Sequence, residues 1–280
     1  MPLNGRNSSR FFEQLPTPAL RQFIKRFLVV EFPPIHHDDH LPDTSPVAAF
    51  SLRGGCRIDE KMFAAPAAFT GIWEVLRTHE HLDNHLVLLV TFTPVGAATL
   101  LRTPLEEFTG TTTDLGNLLD ARAVSRLHDR LAHAPNHARR ITLLEDFLFS
   151  RLRLSAPDPL VSAAVSWLER RTGSSRIDDL TRYIGLSQSA LERRFRRIIG
   201  VSPKKYASLV RLRHAVRLQA TGVDLTTVAQ AAGYFDQSHF INDFRRATGT
   251  APESFFRRRW KETPETPRTP GSSGIERDRA

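Results

Sequence analysis

The same pattern occurs twice between residues 158 and 262, and no other feature of this 280-residue chain restricts its fold as strongly. Leu191, Phe195, Arg196, Arg197, Gly200 and Pro203 recur 49 residues later as Phe240, Phe244, Arg245, Arg246, Gly249 and Pro252. A repeat at that period marks one supersecondary unit used twice. In each copy an apolar helical stretch stops at a glycine, Gly185 or Gly233, which can take the positive φ that ends a helix cheaply. A second stretch begins at a capping residue, Ser187 or Asp236. Two short helices joined by a tight turn make a helix-turn-helix. The two glycines lie 48 residues apart, so the second turn holds one residue more than the first.

The second helix of each unit spans about residues 187–198 and 237–247. Leu191 with Phe195, and Phe240 with Phe244, are four apart and face a core. Ser189, Glu192 and Arg193 in the first unit, and Gln237, Ser238, His239, Ile241 and Asn242 in the second, then face outward, where side chains can reach base edges. Arg193 is the best-suited base reader, because a guanidinium binds guanine O6 and N7 together. Glu192 can accept from cytosine N4 or pair with Arg196 one turn on, and Gln237 can read adenine or help start its helix. Arg196, Arg197, Lys204, Lys205, Arg245 and Arg246 suit phosphates, which position a protein without specifying sequence. Phe195, Tyr206, Phe244, Phe255 and Trp260 fall at helical spacing and read as core rather than as platforms for bases.

Pro203 opens a linking helix that runs to about Ala220. A rigid link of this kind would let the two reading helices enter successive major grooves of one duplex, about 34 Å apart. Charge follows the same division. Residues 158–262 carry 19 Lys/Arg against 10 Asp/Glu, whereas residues 1–157 carry 17 of each and residues 263–280 carry 3 of each. The whole net charge of +9 therefore sits on the repeated block, the footprint expected for a polyanionic partner. Helix-turn-helix units suit the wide major groove of duplex DNA better than the deep, narrow one of RNA.

The first half reads differently. Residues 47–52, 67–73 and 86–92 are short apolar runs broken by Pro and Gly, and residues 85–93, bounded by Pro94 and Gly96, read as a buried strand. From Leu115 the period becomes helical through Leu118, Leu119, Val124 and Leu127, and again through Ile141, Leu144, Leu148 and Leu152, which predicts a helical hairpin over about 114–153. Pro157 and Pro159 lie in a linker near residue 155. The fold class is thus α+β: a β-rich N-terminal domain over 1–155, an all-α domain over 156–262, and a Pro/Ser/Gly-rich tail over 263–280 that reads as disordered.

Several classes are disfavoured. No stretch approaches the about 18 apolar residues of a membrane helix, and the N-terminus lacks a secretory signal, so the expected location is the cytoplasm and no membrane partner is expected. The one cysteine, Cys56, allows no disulfide within the chain and argues against thiolate zinc sites. His36, His37, Asp38, Asp39 and His40, even with His79, His81 and His85, match no metal-ligand spacing and read as a solvated loop, so no metal or other cofactor is expected. No catalytic motif occurs, and the chain reads as a non-enzyme.

Residues 158–260 resemble the DNA-binding domain of AraC-type transcription regulators. The resemblance rests on Gly233-Tyr-Phe-Asp-Gln-Ser-His-Phe240, followed by Phe244-Arg-Arg, Gly249 and Pro252. Phe235 departs from it, since a small polar residue is common there. More loosely, Phe92-Thr-Pro-Val-Gly96, residues 104–107 and residues 140–153 resemble the companion domain of a subset of these regulators. That domain, often a cupin-like barrel, senses a small ligand, oligomerises, or both. The resemblance implies a regulator whose partners are duplex DNA, RNA polymerase and a small-molecule effector. It leaves homodimerisation, activation against repression, and the effector's identity open.

Overall fold

The computed structural model describes residues 9–63, 65–101, 103–151 and 157–262, without the side chains of 258–262. The tail, most of the linker and the Trp260 side chain, all subjects of sequence expectations, lie outside the described residues.

Among the described residues, eight antiparallel strands form one sheet: β1 (Arg10–Gln14), β2 (Ile24–Glu31), β3 (His36–His40), β4 (Val47–Ile58), β5 (Lys61–Phe63), β6 (Ala67–Thr70), β7 (Arg77–Phe92) and β8 (Thr112–Asp114). The order is β1-β2-β7-β4-β6-β8, with β5 on β4 and β3 on β7. β7 is the central strand. Along one edge it pairs first with β3 and then with β2, and along the other it pairs with β4. Its apolar run, predicted as a strand over 85–93, marks only the part buried on both faces: Leu86, Leu88, Val90 and Phe92 enter the main core, while Val87 packs with Val30 and Phe32. The mostly polar residues 77–82 extend the strand, because the ladders to β3 and β4 pair their backbone whatever their side chains are.

β3 corrects one expectation. Residues 36–40 form a strand, not a solvated loop, since each pairs with a residue of β7, from His36 opposite His81 to His40 opposite Arg77.

After α1 (Ala97–Leu100), the predicted hairpin appears as α2 (Ala121–Ala132) and α3 (His137–Arg151), which close the main core with Val124, Leu127, Leu131, Ile141, Leu144 and Leu148. Leu115 and Leu118 do not share α2 as their spacing suggests. Residues Leu115–Asn117 form a 3-10 turn capped by Asp114, and α2 starts afresh where the Asp120 carboxylate accepts from the N–H groups of Arg122 and Ala123. Two capping aspartates within six residues override the apolar period. Gly96, before α1, lies so close to Phe23 that a Cβ there would come within 1.9 Å of the Phe23 carbonyl oxygen, which only glycine tolerates.

The chain then becomes helical throughout: α4 (Pro159–Arg170), α5 (Ile177–Ile184), α6 (Gln188–Ile199), α7 (Pro203–Gln219), α8 (Leu225–Ala231), α9 (Gln237–Thr248) and α10 (Pro252–Glu262). Two separate cores organise it. The first gathers Val161, Trp167, Leu168, Leu180, Leu191, Phe195 and Tyr206, and the second gathers Leu212, Val228, Phe240, Phe244, Phe255 and Phe256. The strand-rich half reaches into both: Ile72 and Val95 belong to the first, and Leu41 and Leu76 pack on the second. Among the described residues no helix is long and apolar enough to cross a membrane.

Burial holds three imidazoles of β7 in the neutral form, with pKa values lowered from 6.5 to about 3 for His79, about 2 for His81 and about 4 for His85. Below the unfolded value of 6.5 the unfolded chain takes up protons that these rings refuse when folded, so acid favours unfolding. Stability is therefore expected to fall as pH drops from about 7 toward 4. Thermal melts across that range check this. A melting temperature that stays flat in the wild type, or falls equally in His79→Gln, contradicts it.

Candidate nucleic-acid interface

The second helices of the two units, α6 and α9, are built alike from their sequences. α6 starts at Ser187, whose hydroxyl accepts from the Ala190 N–H at 3.3 Å, and α9 starts at Asp236, whose carboxylate accepts from the His239 N–H at 2.7 Å. They end at Gly200 and Gly249, with φ of 101° and 76°. The predicted span of 187–198 differs from the observed α6 by one residue at each end, and that of 237–247 differs from α9 by one residue at the C-terminal end alone.

One face of each helix is fixed by its core. Leu191 and Phe195 are fully buried, and the Phe195 ring meets that of Tyr206 edge-on at 5.5 Å. Tyr206 sits on α7, and its hydroxyl donates to Glu169 Oε1 at 2.8 Å. Burial first, and then the Glu169 charge, raises its pKa well above the usual phenol value, so it remains a donor. Phe240 and Phe244 are likewise fully buried, with Phe244 edge-on to Phe240 at 5.8 Å and to Phe255 at 5.3 Å. These rings are therefore core, and cannot stack on bases.

The other face lies at the surface. Ser189, Arg193, Arg196 and Arg197 on α6, and Ser238, His239, Asn242, Arg245 and Arg246 on α9, are exposed, while Glu192, Gln237 and Ile241 are half-buried. Glu192 Oε1 accepts from Gln188 Nε2 at 3.1 Å, and no Glu192–Arg196 ion pair occurs among the described residues. Gln237 Oε1 accepts from the Thr226 hydroxyl at 3.0 Å, which ties α9 to α8. The His239 ring meets Tyr234 edge-on at 5.2 Å. Arg193, Arg197, Lys204 and Arg245 form no ion pair among the described residues, whereas Arg246 approaches Asp243 at 3.5 Å.

Gln188, Lys204, Ser208, His239, Asp243 and Arg246 line a cleft of about 650 Å³ that runs between the two units over α7. Its floor is a network. Asp243 accepts from the hydroxyls of Ser208 at 3.1 Å and Tyr234 at 3.4 Å, and approaches Arg211 at 3.7 Å. Sequence reasoning missed Gln188, Arg211 and Asp243, because their meeting depends on how α7 crosses α9 rather than on spacing within one helix. Phe235, in the second turn, is 93% exposed.

Two of the cations that sequence assigns to phosphates lie where the halves meet. Lys205 Nζ is 2.9 Å from Glu74, and Arg196 lines a recess with Glu74, Glu106 and Thr109. Nearby, the Thr109 hydroxyl donates to the Gly200 carbonyl at 2.6 Å, the Leu76 N–H donates to the Ala247 carbonyl at 2.6 Å, and Arg213 on α7 binds Asp43 and Thr44.

Comparison with known proteins finds matches to this region. A family model described as a helix-turn-helix domain matches residues 180–258. The HTH-type transcriptional activator RhaS of Pectobacterium carotovorum is 32% identical over 96 residues, which cover 34% of this chain and 34% of that protein. The arabinose operon regulatory protein of Escherichia coli is 29% identical over 124 residues, covering 41% of this chain and 42% of that protein. The chain thus spans less than half the length of these curated relatives. The crystal structure of ToxT from Vibrio cholerae aligns over 89% of this chain and 97% of its own, at 10% identity and a TM-score of 0.46, a loose likeness.

The cap of α9 gives a direct check of how that helix is held. Asp236→Ala removes the acceptor of the His239 N–H and should cost about 1 kcal/mol. Urea denaturation of the full chain measures it, and an unchanged midpoint would show that Asp236 does not hold the helix start.

Proposed function

We propose that this chain, whose C-terminal third is a helix-turn-helix domain of the AraC type, is a transcription regulator that reads duplex DNA by placing α6 and α9 in successive major grooves. One observation carries the reading. Each helix buries its aromatic face in its own core and leaves its polar and cationic face at the surface, and both open on the same cleft. In this reading Ser189, Glu192, Arg193, Gln237, Ser238, His239, Ile241 and Asn242 read base edges, with Arg193 on a guanine. Arg196, Arg197, Lys204, Arg245 and Arg246 grip phosphates, joined by Lys205 when it leaves Glu74.

Control by an effector held in the strand-rich half is the second element. The contacts of Glu74, Leu76 and Thr109 with the helical half support it, because a change in the sheet would be felt at the ends of both reading helices. RNA polymerase is the partner that a regulator's role implies.

Duplexes selected by the full chain from a random library test the reading, with affinities measured by fluorescence anisotropy over a range of salt. Arg197→Ala should weaken all bound sequences alike and reduce the salt slope by about 1. Arg193→Ala should cost about 1–3 kcal/mol on the preferred sequence and relax the preference at one base position. Equal losses on every sequence for Arg193→Ala would remove it as a reader, and failure to enrich any duplex would overturn the regulator reading.

A further inference from the structure

The pleat of the sheet gathers metal donors that lie far apart in sequence. In the ladder between β3 and β7, His36 is opposite His81, Asp38 is opposite His79 and His40 is opposite Arg77. Residues directly opposite, and residues two apart along a strand, share a face. Asp38, His40, His79 and His81 therefore project to one side of the sheet. The His40 and His79 rings lie 4.2 Å apart and those of His79 and His81 6.1 Å apart, and one donor atom from each of the three lies within 4.8 Å of the others.

Two orphaned atoms point to a ligand. His81 is 3% exposed and is held in place by the Phe32 ring stacked on it at 3.5 Å. Its Nδ1 meets the Nδ1 of His85 at 2.7 Å, but its Nε2 is buried with no hydrogen-bond partner. His40 Nε2 is also buried without one, although Asp38 Oδ2 lies 3.3 Å from it. Buried polar atoms are nearly always satisfied. Two that are not, in one cluster of three imidazoles and a carboxylate, are free donors of the kind that a cation site requires. Donors bound to one tetrahedral zinc at about 2.0–2.1 Å stand about 3.3 Å apart, so small ring movements would complete the set.

We propose that His40, His79 and His81, with Asp38 beside them, bind one divalent transition-metal ion of the zinc class, and that this ion is the regulator's effector. Imidazole and carboxylate donors in this number select zinc, cobalt, nickel or copper over magnesium or calcium. A second trio, Cys56, His81 and His85, also lies within 4.8 Å and shares His81, but its other two members are engaged: both ring nitrogens of His85 are bonded, to His81 Nδ1 and to the Ser51 hydroxyl, and the Cys56 thiol donates to the Arg57 carbonyl.

The effector role rests on the DNA-binding reading, while the metal site does not. The ladder ends at His40 and Arg77, and the residues next to them, Leu41 and Leu76, pack on the core of the second helix-turn-helix unit. Leu76 also donates to Ala247, near the end of α9. An ion that draws β3 toward β7 therefore acts at the root of the contact with a reading helix.

The test uses the metal-free full chain titrated with cobalt and zinc. Cobalt should give the visible spectrum of a nitrogen and oxygen site with one ion per chain, and zinc should displace it. His40→Ala, at a half-buried ring, should lower affinity by more than ~100-fold with an unchanged circular dichroism spectrum, and Cys56→Ser should leave affinity unchanged. No cobalt spectrum, or wild-type affinity in His40→Ala, overturns the site. A thiolate charge-transfer band that Cys56→Ser abolishes overturns the ligand set. On a selected duplex, zinc should change the affinity of the wild type by roughly tenfold and that of His40→Ala not at all. Equal wild-type affinity with and without zinc overturns the effector role. Absence of DNA binding in both states sinks the regulator reading instead, and the cobalt titration is unaffected by it.

Discussion

The geometry of the helical half depends on one helix serving two cores. Tyr206, Ala207, Leu209 and Val210 of α7 are buried in the first unit, and Leu212 and Ala215 are buried in the second. The change of allegiance comes at Arg211, which turns instead toward Asp243 and the Tyr234 ring. With both ends of a rigid rod packed, neither unit can rotate without opening a core, and replacing one large buried side chain by alanine costs about 3–5 kcal/mol. The separation of the exposed faces of α6 and α9 is thus set by packing within the chain.

The strand-rich half holds α6 and α9 each by its far end. Thr109 bonds to Gly200, just past α6, and Leu76 bonds to Ala247, in the last turn of α9. The N-terminal turns, with Ser189, Arg193, Ser238 and Asn242, stay clear at the surface. In helix-turn-helix recognition it is the N-terminal part of the reading helix that contacts base edges. Contacts at the C-terminal ends can therefore tilt or stiffen the helices while leaving the proposed reading residues open.

What was legible in the sequence was local. Glycine stops, Ser187 and Asp236 caps and the i, i+4 apolar pairs placed the second helix of each unit within a residue or so, because helix ends depend on chemistry within one turn. The α+β division followed from the change of period near Leu115, but the start of α2 did not, since the Asp120 cap outweighs apolar spacing. β3 was misread because a strand made of histidine and aspartate carries no apolar alternation. Its identity lies in its partner β7, about 40 residues away. The same distance hid the approach of His40 to His79 and His81, which only a known register reveals. Lys205 shows the limit from the other side: its charge suggested a phosphate contact, and its pairing with Glu74 depends on how the halves dock.

That pairing changes the meaning of the charge count. The strand-rich half is neutral as a whole, yet it presents Asp43, Glu74 and Glu106 at the junction, where they face Arg213, Lys205 and Arg196. Surface ion pairs of this kind are worth little as stability, with typical values near 0–1 kcal/mol, so they do not hold the halves together. Their effect is on availability. A cation held by a carboxylate must give it up before it can displace counterions from a phosphate, and each phosphate neutralised adds about 0.9 to the salt slope of duplex binding. In the proposed reading, docking of the strand-rich half thus sets how many of the basic block's charges are free for DNA. On the same proposal, a ligand that loosens the junction would raise non-specific grip and specific affinity together, while one that shifts only the end of α9 would act mainly on base reading.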